Sequence, residues 1–210
     1  MIDYSVLEIP RQIHRIWLDE PMPKMFSVYL NAWQVLHPGW WIQDWMTSRS
    51  LPPLHNQDLF NRASEFYPND WKRFQADIVR LELLWHYGGV YADTDIEPFR
   101  NLGPLLDERV CLVGRSPQVW RGVHSITNAF MATVPRHPFI EATIERLPES
   151  VRRRRGHPLA RSAGPWHLNR VYDSGSWPDV TVLEPDELYD GTYFRHYWNN
   201  KLRKQGRGLG

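Results

Sequence analysis

A single α/β domain built on a Rossmann-like sheet is the architecture this sequence predicts, and three observations predict it. Short apolar runs suited to buried strands alternate with longer segments whose apolar residues recur every three or four positions. The first strand–helix–strand unit is complete by residue 46, which calls for parallel pairing and a right-handed crossover. The 210 residues suffice for one sizeable core, and no internal repeat divides them. The expected domain covers residues 1–205, with a less regular C-terminal half. The Gly-rich stretch 206–210 is expected to be a disordered tail.

Residues 12–18, QIHRIWL, alternate after Pro10 and read as the first strand. Residues 19–23, DEPMP, form a loop. Residues 24–36 read as a helix with Met25, Tyr29, Trp33 and Leu36 on one face, ended by His37-Pro38-Gly39. Residues 40–46, WWIQDWM, read as the second strand. After a loop at 47–53, residues 58–66 suit a short helix ahead of Pro68. In residues 69–87 the apolar positions 71, 74, 78, 81 and 85 mark an amphipathic helix. Asn69 or Asp70 is placed to cap its start, and Gly88 to stop it in a left-handed conformation. Val90, Tyr91 and Ala92 then read as a buried strand, and residues 96–99 as a short extended segment interrupted by Pro98.

Residues 110–114 and 125–134 read as two further strands. Residues 137–147 form a helix with Phe139, Ile140, Ile144 and Leu147 on one face. The one shift in composition follows at 151–161, with Arg152, Arg153, Arg154, Arg155 and Arg161. Gly164-Pro165 opens a helix through Tyr172, and residues 180–183 form a strand. From Asp190 the chain is aromatic, then basic and Gly-rich.

Net charge is +1, so no global basic field draws the chain to polyanions. Eleven tryptophans fit core packing and stacking platforms. The single cysteine, Cys111, lies in the apolar run VCLVG and reads as a small buried hydrophobe. One cysteine excludes a disulfide framework and the usual zinc patterns. The first ten residues mix Asp3 and Glu8 with apolar residues, so neither a signal peptide nor a membrane span is expected. These features lead us to expect a soluble, cytoplasmic protein.

Chemistry concentrates where the 90–92 strand ends, at Asp93-Thr94-Asp95. In an open α/β sheet that edge is where ligands bind. Two like charges placed together there need a compensating cation or strong donors. All-oxygen ligation favours a hard cation with open positions for phosphate oxygens. On its own, a D-x-D more often describes a solvated turn with two surface acids. Asp77 and Arg80, three apart on the preceding helix, share a face beside its apolar stripe. As a structural ion pair they would contribute only about 0.2–0.5 kcal/mol.

The joined run D-I-V-R-x-x-x-L-x-x-x-G-G-V-Y-A-D-T-D, residues 77–95, resembles the signature of glycosyltransferases with a DXD sugar-binding motif. These are the family 32 type: initiating mannosyltransferases, capsular polysaccharide transferases and, distantly, clostridial glucosylating toxins. The resemblance implies a GT-A type fold. It also implies a UDP- or GDP-linked sugar donor, Mn²⁺ or Mg²⁺, and retaining transfer to a glycan or glycolipid. Carried onto this chain, Asp95 and Asp93 hold the ion, and Asp93 also reaches the ribose. Asp77 orients the sugar hydroxyls, and Arg80 binds the sugar or shields the phosphate.

The opening I-P-R-Q-I-H-R-I-W-L resembles the family's first strand and places Trp17 on the nucleotide base. Asn128, in T-N-A-F-M-A-T-V-P-R-H-P, is similar to a segment beside the donor sugar. Gly164-Pro165 resembles a T-G-P turn in which Ala163 replaces the threonine. His196-Tyr197-Trp198 resembles an H-H-W segment, which makes His196 a metal ligand or neighbour and Lys201 or Asn200 diphosphate contacts. No residue reads as a covalent nucleophile, and the resemblance suggests front-face displacement guided by the leaving phosphate.

Two other classes stay open on the sequence. One is a haloacid-dehalogenase-like phosphotransferase with Asp93 as nucleophile, although Ile96 and Glu97 depart from its pattern. The other is a non-catalytic metal- or carbohydrate-binding module, in which Asp93, Asp95 and Glu97 invite a calcium-loop reading against which Pro98 counts. The Arg152, Arg153, Arg154 and Arg155 run and the basic 201–207 tail also allow an anionic acceptor, nucleic acid included.

Overall fold

The structure, a computed structural model, describes residues 7–120, 122–189 and 192–198. Strand β1 (Gln12–Ile16) and strand β2 (Trp41–Trp45) flank helix α1 (Lys24–Leu36) and pair in parallel, as a short βαβ unit requires. The central sheet runs β2-β1-β3-β6-β5-β7, with β3 (Gly89–Ala92), β5 (Cys111–Trp120), β6 (Val123–Thr133) and β7 (Val180–Leu183). All its strands run one way except β6, which is antiparallel to both β3 and β5. A second, two-stranded sheet pairs β4 (Ile96–Pro98) with β8 (Phe194–His196).

Side-chain alternation splits the core into two layers. Tyr91, Cys111, Val113 and Met131 face one side, beneath helices α4 (Trp71–Tyr87), α6 (Pro138–Arg153) and α8 (Pro165–Asp173). Val90, Ala92, Leu112 and Phe130 face the other, against Trp33 of α1 and Phe194 of β8. The inner strands are apolar on both faces, as a sheet covered on both sides demands. Among the described residues no helix is long and apolar enough to cross a membrane.

Several expectations need correction. β1 stops at Ile16, so Trp17 lies just past the strand, although its N–H still bonds the Trp45 carbonyl at 3.0 Å. The helix expected at 58–66 is two, α2 (Gln57–Asn61) and α3 (Ala63–Phe66), which meet at Arg62 in a non-helical conformation. Asp70 precedes α4 without capping it, because its carboxylate pairs with Arg73 at 3.2 Å. β5 and β6 extend into a hairpin longer than the apolar runs that announced it. Helices α5 (Gly103–Leu106), α7 (Leu159–Ser162) and α9 (Pro185–Leu188) and strand β8 are too short to leave a periodic signal.

α6 does not end at Leu147 but runs on to Arg153 through Pro148. A proline inside a helix removes the N–H that would reach the carbonyl four residues back. That carbonyl belongs to Ile144, and the buried Asn56 side chain bonds it at 3.0 Å instead. Arg152 and Arg153 are therefore helical, in the last turn, where cations suit the helix dipole.

Candidate active site

α4 and β3 are joined by two glycines, and the join fixes the site. Gly88 has φ 62°, and a Cβ there would lie 2.7–2.8 Å from Pro135 and the Thr133 carbonyl. Gly89 has φ 84°, and its Cβ would fall 2.4 Å from the Gln12 side chain. No other residue fits either position without displacing backbone. Gly88 carries the positive φ expected of it, but its ψ of −152° lies outside the left-handed helical region. The chain thus doubles back at once. A helix rises about 1.5 Å per residue and a strand about 3.3 Å, so Asp77, well back along α4, stands level with Asp93 just past β3.

Arg80 is the hub of this cluster. Its Nη2 lies 3.0 Å from Asp77 Oδ1, and its Nη1 3.3 Å from Asp93 Oδ1. Nη1 also donates to the Asn128 carbonyl at 2.6 Å, and Nε to the Ala76 carbonyl at 3.2 Å. Its guanidinium sits 4.6 Å above the Tyr91 ring. Asn128 Nδ2 donates to Asp77 Oδ1 at 2.8 Å, and the Tyr91 hydroxyl to Asp93 Oδ1 at 2.6 Å. Burial raises the pKa of Asp77 in spite of Arg80 and Arg73. Burial opposes the charge on Arg80, but Tyr91 and the surrounding carboxylates raise its pKa, so the guanidinium stays charged. Burial also holds the Tyr91 phenol well above its usual value, which keeps it a donor.

Asn128 reaches this cluster because β6 is antiparallel. Ala92 pairs with Phe130, and the Asp93 N–H bonds the Ala129 carbonyl at 2.9 Å, so Asn128 arrives at the edge where β3 ends. His196 arrives by the small sheet. β4 pairs with β8, Ile96 lies opposite His196, and the Tyr197 N–H bonds the Asp95 carbonyl at 3.2 Å. His196 Nε2 is then 3.0 Å from Asp95 Oδ1 and 3.8 Å from Asp93 Oδ2. Ligand atoms of Asp93, Asp95 and His196 all lie within 4.8 Å of one another. The buried His196 Nδ1 has no hydrogen-bond partner among the described residues, and Trp198 packs on the ring at 3.8 Å between centroids.

All these groups line one cleft of about 580 Å³. Trp17 forms part of its wall, half-buried, with its indole N–H on the Pro21 carbonyl at 3.1 Å and its edge on Phe26. Seven of the eight site residues expected from sequence therefore meet: Trp17, Asp77, Arg80, Asp93, Asp95, Asn128 and His196. Lys201, with Asn200, lies outside the described residues. Gly164 and Pro165 line the cleft as well, and Gly164 packs closely on Ala160, where a Cβ would sit 3.0 Å from its Cα. Tyr91 was missed as a site residue. Its signal was present, since residues two apart on an extended chain share a face, here with Asp93. Ser116, Gln118 and Thr127 also line the cleft; Ser116 and Gln118 belong to the extra length of β5, and Thr127 to the expected part of β6.

Residues 23–111 match the family described as glycosyltransferase sugar-binding region containing DXD motif. Inositol phosphoceramide mannosyltransferase 1 of Schizosaccharomyces pombe is 31% identical over 144 residues, 67% of this chain and 43% of that protein. The chain thus spans less than half the length of that curated relative. Among solved structures, the PaToxG glycosyltransferase aligns with a TM-score of 0.63 at 16% identity, covering 80% of this chain and 70% of that one. The UDP-bound glycosyltransferase domain from the YGT toxin aligns with a TM-score of 0.52 at 13% identity, covering 90% and 83%. At such identities the likeness concerns the fold, which is of the GT-A kind. Residues 23–111, which hold α4, the double-glycine turn and both aspartates, thus match the glycosyltransferase sugar-binding region that contains the DXD motif.

Proposed function

We propose that this chain is a metal-dependent, retaining hexosyltransferase that moves a sugar from a nucleoside diphosphate to a glycolipid or glycan acceptor. One observation carries the reading. A three-ligand cation set and a buried Asp77–Arg80–Asn128 cluster share one cleft. A UDP-bound neighbour of the same fold supports the donor class, and the relative named for inositol phosphoceramide supports a glycolipid acceptor.

Two carboxylates suit Mn²⁺ or Mg²⁺, and the added imidazole favours Mn²⁺, the less hard of the two. Asp93 Oδ1 is taken by Tyr91 and Arg80, so Oδ2 is its ligand oxygen. A bound cation neutralises charge on the departing diphosphate. The protein's own groups supply the rest. Asp77 Oδ1 is engaged by Arg80 and Asn128, which leaves Oδ2 to accept from sugar hydroxyls. Arg80 is locked by four polar contacts and offers fixed positive charge where the leaving group develops negative charge. Trp17, held on one edge by Phe26, offers a face to the base. Lys201 or Asn200 completes the diphosphate contacts. No covalent nucleophile is assigned, and the acceptor attacks from the face that the sugar's own phosphate leaves.

The test is a donor-hydrolysis and transfer screen over UDP- and GDP-sugars, with and without EDTA. Transfer is expected to need Mn²⁺ or Mg²⁺, and Asp95→Ala to abolish it with an unchanged circular dichroism spectrum. Full turnover in excess EDTA would sink the metal reading. Consumption of a phosphomonoester but of no nucleotide sugar would favour the phosphotransferase, which neither the fold nor the family match supports.

A further inference from the structure

The arginine run has no part in the cleft chemistry, yet its surroundings are built rather than loose. Beyond α6 the chain bends at Gly156, with φ 83°, and returns as α7. The Ser150 hydroxyl, buried, donates to the Ser162 carbonyl at 2.6 Å, and Ser162 donates back to the Arg154 carbonyl at 3.4 Å. The His157 N–H bonds the Arg154 carbonyl at 2.9 Å. These bonds clamp α7 against the end of α6. Arg153, Arg154, His157 and Arg161 then line a hollow of about 350 Å³.

Charge in this hollow is poorly compensated. Glu149 serves both Arg152, at 2.7 Å, and Arg153. Arg154 and Arg161 have no carboxylate partner among the described residues. Behind them Arg170 Nη2 is held by Ser150 Oγ at 2.8 Å and the Arg161 carbonyl at 2.7 Å. Burial, with the charge of Arg154, lowers its pKa to about 10. Favourable placement at a helix C-terminus accounts for Arg152 and Arg153 in the last turn of α6. It does not account for Arg154, His157 and Arg161, which lie beyond it. Guanidinium forks match the tetrahedral oxygens of a phosphate, and like charges lining one hollow repel until an anion joins them.

The hollow also adjoins the cleft. Leu159 and Ala160 line the cleft, and His157 and Arg161, on either side of them in sequence, line the hollow. One short helix separates the two spaces. None of the four hollow residues lines the cleft, so a donor diphosphate at Asp93 and Asp95 leaves the hollow to the other substrate.

We propose that Arg153, Arg154, His157 and Arg161 form a subsite that binds the phosphate of an anionic acceptor and so presents the acceptor to the cleft. The subsite's role rests on the transferase reading, whereas its binding of phosphate does not. The experiment compares the full chain with the double variant R154A/R161A, neither residue of which touches the cleft. Calorimetry with inositol 1-phosphate and with inorganic phosphate reads the site directly. Kinetics with a phosphoinositol lipid and with a neutral glycosylceramide read its role.

The double variant is expected to lose affinity for inositol 1-phosphate by about ten- to a hundred-fold, the range for a charged hydrogen bond, and to raise the KM of the phosphate-bearing acceptor alike. Donor hydrolysis and the KM of the neutral acceptor should stay as they are, and R154K/R161K should recover part of the loss. Equal phosphate affinity in wild type and variant overturns the subsite. So does an effect confined to phosphatidylinositol vesicles, which means membrane attachment, or one confined to RNA. A chain that binds inositol 1-phosphate through these arginines but neither hydrolyses nor transfers any nucleotide sugar overturns the transferase reading and leaves the anion site standing.

Discussion

Asp93 and Asp77 each give one carboxylate oxygen to the protein. Asp93 Oδ1 takes the Tyr91 hydroxyl and Arg80, and Asp77 Oδ1 takes Arg80 and Asn128. In the proposed site the second oxygens serve different partners, the cation for Asp93 and the sugar for Asp77, so the two acids can be tested separately. Asp77→Asn keeps the shape but would weaken the proposed charge-assisted contact to the sugar. Transfer should fall about ten- to a hundred-fold, for a loss of about 1.5–3 kcal/mol. Nucleoside diphosphate, which lacks the sugar, should bind as before. Wild-type turnover in that variant would reduce Asp77 to half of a structural ion pair. Trp17→Ala should weaken nucleotide binding by about 1–3 kcal/mol, the range for base stacking. An unchanged dissociation constant in a folded variant would remove Trp17 from the site.

At the scale of elements, the α4–β3 hairpin is the part that least tolerates change. Gly89 has both a positive φ and no space for a Cβ, with the Gln12 carbonyl 2.8 Å from where it would sit. Gly89→Ala adds a conformational cost of about 1–2 kcal/mol to an overpacking cost of similar size. Urea unfolding should therefore show a loss of more than about 2 kcal/mol, or no folded protein at all. A midpoint within error of wild type would mean that the turn relaxes freely and does not fix the distance between Asp77 and Asp93. The β4–β8 pairing has the corresponding role for His196, since without it the imidazole has no fixed place beside Asp95.

Across the whole molecule, three buried histidines set the acid limit of stability. Burial lowers His14, His137 and His167 from 6.5 to about 4. His14 is fully enclosed, donating from Nε2 to the Gly88 carbonyl and accepting from the Trp45 indole at Nδ1. Between pH 6.5 and about 4 the unfolded chain binds more protons than the native one, so stability falls as pH drops. Each histidine contributes up to about 3 kcal/mol that is present above its unfolded pKa and lost through its folded one. Asp77 and Asp44, both raised by burial, act in the opposite sense but are fewer. The urea midpoint should decline steeply between pH 6.5 and 4.5. A flat profile would mean that these imidazoles find water or partners when protonated.

Local sequence was enough for whatever depends on neighbours along the chain. The 3–4 spacing of apolar residues gave α4 its bounds. The double glycine marked its reversal, and the two carboxylates marked the ligand edge, because periodicity, φ and charge are properties of adjacent residues. The parallel pairing of β1 with β2 followed from the length of their connection. What sequence could not place were contacts between distant segments. Asn56, far from Pro148 in the chain, supplies the bond that lets α6 continue past residue 147. Asn128 meets Asp77 because β6 runs antiparallel, and strand direction at that position is not written in β6 itself. His196 meets Asp95 across a two-stranded sheet with three-residue strands, too short to leave a pattern. The bounds of α4, its reversal and the paired acids after β3 were thus determined locally, while the register that closes the site was decided by tertiary pairing, since hydrogen-bond partners between strands are chosen by the packed core as a whole.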